Sequence, residues 1–481
     1  MNDVPTKQLA VKEAAPPSNS QKAWVLGLTS AASLMAALDA MVLAASLTTI
    51  RADLDASIEA LEWTLNAYSL SFAVLLLTGA SLGDRFGRRR MFIAGIALFV
   101  LASAACALST TVGFLIAARA VQGVGAALVM PLAMALLSAT FPPQERGKAL
   151  GIFSGVTGLG IIVGPLLGGA ISEGLAWQWI FWINIPIGFV LVTLAGRRMP
   201  ESFGPDTTID VLGVVLVTLA AFGLVWGIMR GNEAGWASAE TVSVLVGGVV
   251  LAAVFVAWER RAKKPLIPLR LFRSRAFSAG VGASFLFYAS MYSVVFFLPQ
   301  FFQSAQGEGP LGAGLRLLPW TATLFFVAPV AGRLVNRLGE RRLVVAGVLM
   351  QALGFGWIGL VAAPDLPFWN LVAPLVVAGA GVSMAMPAAQ NAVLSAVDRP
   401  DVGKASGIFN MFRFLGGVSG VATAVAVFAV AGGTESPEAF STGFSAAIEL
   451  SAILSLAGAA FALALPGRRG SPGLAGAQAK A

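Results

Sequence analysis

Fourteen apolar stretches, each close to or above 20 residues, follow one another between residues 23 and 465, parted only by short charged or Gly/Pro-rich breaks. A hydrocarbon layer about 30 Å thick takes roughly 20 apolar residues of helix, so stretches of this length read as membrane spans. The spans expected are 23–50, 60–82, 91–110, 112–139, 149–172, 178–196, 211–230, 241–258, 276–303, 313–335, 343–363, 370–397, 405–431 and 441–465. An even number puts both termini on one side.

Composition agrees, because 57% hydrophobic and 12% charged residues, with a mean hydropathy of +0.81, lie far from the values of soluble globular chains. An all-α polytopic membrane protein is expected, with little length left for a soluble domain. Residues 1–22 are polar and carry three lysines without a cleavage-site pattern, so the first span is expected to be retained. Residues 466–481 read as a loose tail, too poor in apolar residues to fold alone.

Lys and Arg near helix ends are retained in the cytoplasm. With the amino terminus inside, 27 of the 32 Lys and Arg fall in inner segments, namely 1–22, 83–90, 141–148, 197–210, 259–275, 333–342, 398–404 and the tail. Outer loops carry acids such as Asp53, Asp55, Glu173, Glu308 and Glu435. The net charge of +8 therefore belongs to cytoplasmic loops beside anionic lipid rather than to nucleic-acid binding.

The chain also repeats itself. GKALGIF at 147–153 recurs as GKASGIF at 403–409, and Met130-Pro131 recurs as Met386-Pro387 at the same offset of 256. GASLGDRFGRRR at 79–90 corresponds to AGRLVNRLGERR at 331–342, with Asn336 in place of Asp84. Two related six-helix bundles are expected, 23–197 and 276–465, with 198–275 holding a linker and two inserted helices. Parallel repeats of this kind suit transporters whose halves rock about a midplane site.

Within residues 151–169, Gly151, Gly160, Gly164, Pro165, Gly168 and Gly169 fall at fixed intervals inside one apolar stretch. Such glycines strip one helix face, so that a neighbour can approach backbone to backbone. Pro165 is expected to bend the helix. Only the first copy has the kink, since Val421 stands at the matching place. The spacing resembles the antiporter motif of drug-exporting members of the major facilitator superfamily. GDRFGRRR at 83–90 resembles that superfamily's loop between the second and third helices, with Ala80 where a glycine usually opens the motif. There Asp84, Arg85, Gly87, Arg88 and Arg89 are expected to form a gating loop, a charge-assisted latch engaged in one conformation; the plainer reading is a positive-inside loop.

LDAMVLAASL at 38–47, WTLNAYSL at 63–70 and LIAARAVQGVGAALVMP at 115–131 resemble motifs of the fourteen-helix drug:proton antiporter family, as do WQWIFWINIPIG at 177–188 and LRLLPW at 315–320. The first match departs at Met41, Ala44 and Thr48, where family members carry Thr, Asn and Pro. The resemblance covers almost the whole chain. It implies the major facilitator fold and proton-coupled export of drugs or antibiotics from the cell membrane.

Two charges fall deep in the spans. Asp39 lies about 16 Å and Arg119 about 10 Å from the outer ends of their helices at 1.5 Å per residue, so they can share a depth. Asp39 is expected to bind the driving proton or a cationic substrate, with Arg119 adjusting its affinity; the alternative is a permanent ion pair. Glu449 is a second candidate for proton or cation binding, weighed against helix packing. Asn66, Gln122, Tyr288, Tyr292 and Arg413, with Gln300 and Gln303, could line a polar cavity, although amides also bond adjacent helices. Arg413 could instead snorkel. Glu62 is expected at the interface, and Trp63, Trp177, Trp179, Trp236 and Trp369 in an aromatic belt.

There is no histidine, the sole cysteine is Cys106 inside a span, and no GxxxxGK[ST] sequence occurs. No cofactor, metal or ATP is expected, and an ion gradient should supply the energy. The expected partners are a small-molecule substrate, protons and membrane lipid, with no nucleic acid, and the chain is expected to work as a monomer rather than as an enzyme. The leading expectation is a proton-coupled antiporter exporting small amphiphilic compounds. The alternatives are a dedicated exporter of one metabolite or antibiotic and, more distantly, a membrane sensor or lipid-moving protein.

Overall fold

A computed structural model describes residues 18–204, 210–263, 265–398 and 401–467. Residues 1–17 and 468–481 of the expected tails, and 205–209 of the expected linker, lie outside the described residues. Among the described residues there is no strand, and fourteen helices are long and apolar enough to cross a membrane. They are α1 (Asn19–Leu54), α2 (Ile58–Phe86), α3 (Arg88–Ala107), α4 (Val112–Thr140), α5 (Ala149–Gly174), α6 (Trp179–Arg198), α7 (Val211–Ile228), α8 (Ala239–Glu259), α9 (Arg275–Ala305), α10 (Pro310–Ala331), α11 (Glu340–Val361), α12 (Trp369–Leu394), α13 (Val402–Ala431) and α14 (Pro437–Leu463).

Each helix contains the centre of one expected span, and most run a few residues beyond it. Capping sets these ends rather than hydropathy: the hydroxyls of Ser18, Ser57, Thr111, Ser238, Ser274 and Ser436 each accept an N–H of the first turn. Four helices stop short instead, at Ala107, Val361, Leu394 and Leu463. Helix continues unbroken through Pro165, from Pro143 to Gly174. By contrast α6 is interrupted at Ile183, and α10 at Leu317 and Ala322.

The sequence repeat reappears as a packing repeat. α1 packs on α5 as α9 packs on α13; α2 packs on α4 as α10 packs on α12; α3 packs on α4 and α6 as α11 packs on α12 and α14. Each set of six forms a bundle, and the bundles meet along α2–α13 and α5–α10. Gly87 and Gly339, at matching places in the repeat, both have positive φ, 104° and 83°. A side chain is strained in that region, so glycine lets the chain reverse in so short a loop. α7 and α8 pack on each other, and α7 leans on α2 and α13. Trp63 anchors this inserted pair, its ring 5.9 Å from Phe222 and 5.6 Å from Trp226.

The contact between α5 and α10 is a wedge. Gly151 and Gly169 are 18 residues apart, five whole turns at about 3.6 residues per turn, and so share a face about 27 Å apart along the axis. A Cβ added at Gly169 would collide with the Pro310 carbonyl, one at Gly158 would first meet Leu324 at 4.0 Å, and one at Gly151 would meet nothing within 4 Å. The two helices touch at the Gly169 end and part toward the end carrying the basic loops.

Candidate functional site

At the middle of the first bundle, the Asp39 carboxylate is held by three side chains from two other helices. Arg119 of α4 donates through Nη1 to Oδ2. Gln122 of α4 and Asn184 of α6 donate to Oδ1 at 2.8 and 3.0 Å. Arg119 Nε donates to the Thr64 carbonyl of α2 at 3.1 Å, and Nη1 also donates to Gln122 Oε1 at 2.6 Å. Asn184 donates further to Ser103 of α3 at 3.0 Å. The cluster thus ties together α1, α2, α3, α4 and α6.

These four side chains are buried, with Arg119 completely so. The Tyr68 ring covers the guanidinium at 4.4 Å. In so dry a place the ion pair is tolerable because hydrogen bonds use up most of the remaining polar valences. One is left over: Arg119 Nη2 has no hydrogen-bond partner among the described residues. The depth argument therefore pairs Asp39 with Arg119 correctly. The anchors Asn184, Ser103 and Thr64 escape it. Asn184 was visible as an amide within the WQWIFWINIPIG stretch, but the helix break at Ile183 that aims it at Asp39 was not.

The glycine-rich motif grips the same turn of α1. A Cβ at Gly160 would stand 3.0 Å from Ala37, one at Gly164 would overlap Met41, and one at Gly168 would overlap the Val42 carbonyl. Gly169 serves the other bundle, facing Pro310 of α10, and a Cβ on Gly314 of α10 would lie 2.7 Å from the Pro165 carbonyl. Gly151 makes no close approach. The second copy works alike, with Gly416 and Gly420 of α13 set against the carbonyls of Phe285 and Ala289 of α9.

Between the bundles lies a cavity lined by Met41, Ala44, Ala45, Pro165, Met291, Tyr292, Val295, Pro299, Leu317, Trp320, Thr321, Leu324, Gly379, Val382, Ser383, Met386 and Arg413. Of the expected cavity residues, only Tyr292 and Arg413 line it. Gln122 is spent on Asp39 and Arg119. Asn66 donates to Glu62 at 2.7 Å, and Glu62 itself is buried rather than interfacial. Tyr288 is buried behind the wall, its ring 4.8 Å from the Arg413 guanidinium. Gln300 donates to the Phe296 carbonyl, and Gln303 of α9 bonds to Thr48 and the Ala45 carbonyl of α1.

Glu449 joins neither the cluster nor the cavity. It is exposed on the outer side of α14, beside Gly359 of α11. Depth along a helix fixes no rotation about it, which is why the sequence alone could not separate Glu449 from Asp39. Trp177 likewise leaves the expected aromatic belt: it is buried and donates to Asp53 at 2.7 Å.

In the loop between α2 and α3, Asp84 accepts from Arg88 at 2.8 Å. Arg85 lies over the Phe86 ring at 5.1 Å, and Arg89 donates to the Met199 carbonyl at 3.0 Å. An unforeseen acid, Glu201, caps the start of α3 by accepting the N–H groups of Arg89 and Arg90 at 2.9 and 3.3 Å. A carboxylate suits the positive end of a helix. Gly87 sits so close that a Cβ there would lie 2.8 Å from the Glu201 carboxyl carbon. These bonds bind the loop to the segment following α6, within one bundle. The matching side chains of Arg333, Asn336 and Arg337 lie outside the described residues.

Comparison with known proteins places this architecture. The model of the Major Facilitator Superfamily matches residues 29–421. The chain is 35% identical over 398 residues to the tetracenomycin C resistance and export protein of Streptomyces glaucescens, covering 81% of this chain and 72% of that one. It is 32% identical over 394 residues to the multidrug resistance protein Stp of Mycobacterium tuberculosis, covering 82% and 73%. Among solved structures, a POT family transporter in complex with a thioalcohol-conjugated peptide superposes with a TM-score of 0.69 at 16% identity, over 90% of this chain and 94% of that one, a likeness of fold alone. With its fourteen membrane-spanning helices in two bundles and an inserted pair, the chain belongs to the Major Facilitator Superfamily, as a multi-pass membrane transporter of small molecules and not an enzyme.

Proposed function

We propose that this protein exports small amphiphilic drugs or antibiotics across the cell membrane in exchange for protons, by alternating access. Export is the activity named for the tetracenomycin C relative, and resistance that named for Stp. Both termini are cytoplasmic in this reading, because the inner segments then hold 27 of the 32 Lys and Arg. The wedge between α5 and α10 accordingly opens to the cytoplasm, where a compound to be expelled would enter.

The observation that carries the coupling is the position of Asp39 on α1. Its carboxylate holds the helix to α4 and α6, while Met41, Ala44 and Ala45 of the same helix line the cavity. A proton arriving on Asp39 cancels its charge and leaves Arg119 unpaired, weakening the hold on α1. The glycine face of α5, set against residues 37–42, allows α1 to shift without side chains having to clear one another. Substrate in the cavity and a proton on Asp39 then compete through the position of one helix. The Asp84–Arg88 pair and the Glu201 cap steady the loop between α2 and α3 as the bundles rock.

A second reading, a dedicated exporter of one antibiotic, draws on the single compound in the first relative's name. Dye efflux from cells expressing the wild type, with and without a protonophore, tests both. Export of several unrelated dyes that stops with protonophore supports the main reading; no export of any dye favours the second, and export indifferent to protonophore removes the proton coupling.

A further inference from the structure

The cavity is mostly apolar and, among the described residues, free of acids. Among the described residues no Asp or Glu lines it, and its one charged group is Arg413 of α13. The guanidinium does not snorkel to a helix end. It lies over the Tyr288 and Phe414 rings at 4.8 and 5.2 Å, and the groups acting on it electrostatically are the Tyr288 and Tyr292 phenols, not a carboxylate. Aromatic faces stabilise a cation but do not neutralise it. Arg413 Nε is buried with no hydrogen-bond partner among the described residues.

A second donor is stranded on the same cavity. Trp320 of α10 lines it, and its indole N–H is also buried without a partner among the described residues. Burying polar groups unpaired is costly, so two such donors on side chains that line one cavity favour a ligand with acceptors. The rest of the wall is apolar and sulfur-bearing, with Met41, Met291 and Met386 able to adapt to flat rings. Asp39, the acid expected from the sequence to bind a proton or a cation, is engaged elsewhere and does not line the cavity, and Glu449 is on the outside of α14.

We propose that the cavity takes flat aromatic amphiphiles carrying an acidic hydroxyl or a carboxylate, with Arg413 receiving the anionic oxygen and the Trp320 indole N–H a second oxygen acceptor. This names a substrate class for the export reading and rests on that reading only for the direction of transport. It reverses the preference for cations that Asp39 and Glu449 suggest in the sequence.

The test is equilibrium binding to the purified full chain in nanodiscs of neutral phosphatidylcholine. The probes are fluorescein, an aromatic anion, and ethidium, an aromatic cation. The wild type should bind fluorescein about tenfold more tightly than ethidium, as befits a charge-assisted bond. Arg413→Gln should remove that advantage, Arg413→Lys should keep part of it, and Trp320→Phe, which keeps the ring but deletes the N–H, should weaken fluorescein alone. An unchanged heat-unfolding profile shows that each variant is folded, and the Lys and Phe variants serve if the Gln variant is not. Tighter binding of ethidium, no binding of fluorescein, or fluorescein binding indifferent to both positions overturns the proposal. Arg413-dependent binding by a chain that exports nothing from cells would uphold it while removing the export reading; ethidium export without fluorescein binding would do the opposite.

Discussion

Asp39 and Met41 stand two residues apart on α1, yet one closes a buried polar cluster and the other lines the cavity between the bundles. A helix is stiff over so short a distance, so whatever loosens one is felt at the other. The first prediction follows. Asp39→Asn keeps the shape and deletes the charge, and should abolish proton-dependent efflux while the chain still reaches the membrane. Removing one partner of a buried ion pair costs about 3–5 kcal/mol, so reduced abundance is expected too and efflux must be compared per molecule.

Arg119→Lys makes a separate demand. The guanidinium serves Asp39, Gln122 and the Thr64 carbonyl at once, and an ammonium lacks that fork. Efflux should fall well below wild type although the charge is kept. Efflux equal to wild type would show that charge alone matters there.

Two glycines of the α5 motif have opposite surroundings, Met41 of α1 at Gly164 and open space at Gly151. Gly164→Ala puts a methyl into Met41 and should destabilise the packing by about 1–3 kcal/mol, the usual cost of overfilling. Gly151→Ala meets nothing within 4 Å and should leave thermal stability unchanged. If α5 and α10 close along this face during transport, Gly151→Leu should slow efflux while leaving that stability intact. Thermal unfolding of the purified variants beside efflux rates checks both halves of the contrast.

Glu449→Gln is the control for the coupling site. The side chain is exposed on the outside of α14, so efflux and its response to protonophore should match wild type. Loss of proton dependence in this variant would shift the coupling away from Asp39.

Glu201→Gln bears on the loop between α2 and α3. The Arg89 and Arg90 N–H groups bond to different oxygens of the carboxylate, so the amide keeps an acceptor for only one of them and loses the attraction for the helix end, which is worth about 0.3–1 kcal/mol at such sites. A modest fall in efflux rate with little change in substrate affinity is expected, read from concentration-dependent efflux.

Much of the fold lay open in the sequence because lipid imposes one rule on every span: enough apolar length. That rule located the fourteen helices found among the described residues, and the repeat of GKALGIF as GKASGIF falls on α5 and α13, which pack in the same way on α1 and α9. The same rule hides rotation. A helix apolar on every side carries no stripe that points to the core, so the sequence offers Gln122 and Asn66 either to a cavity or to helix packing, and leaves Glu449 a second candidate whose place on the outside of α14 only the fold shows. Arg413 was placed in the cavity, but its lack of an acidic partner and the stranded N–H of Trp320 appear only once α10 and α13 face each other. Glu201 lay hidden for another reason: it comes from a connection after α6, far along the chain from the α3 terminus that it caps.

The central claim, that Asp39 exchanges its proton for substrate, is tested most directly by proton release from the purified chain. Substrate added to weakly buffered wild-type protein first loaded with protons at acidic pH should release a proton into solution, and Asp39→Asn, shown to bind the same substrate, should release none. Equal release from both would contradict the account.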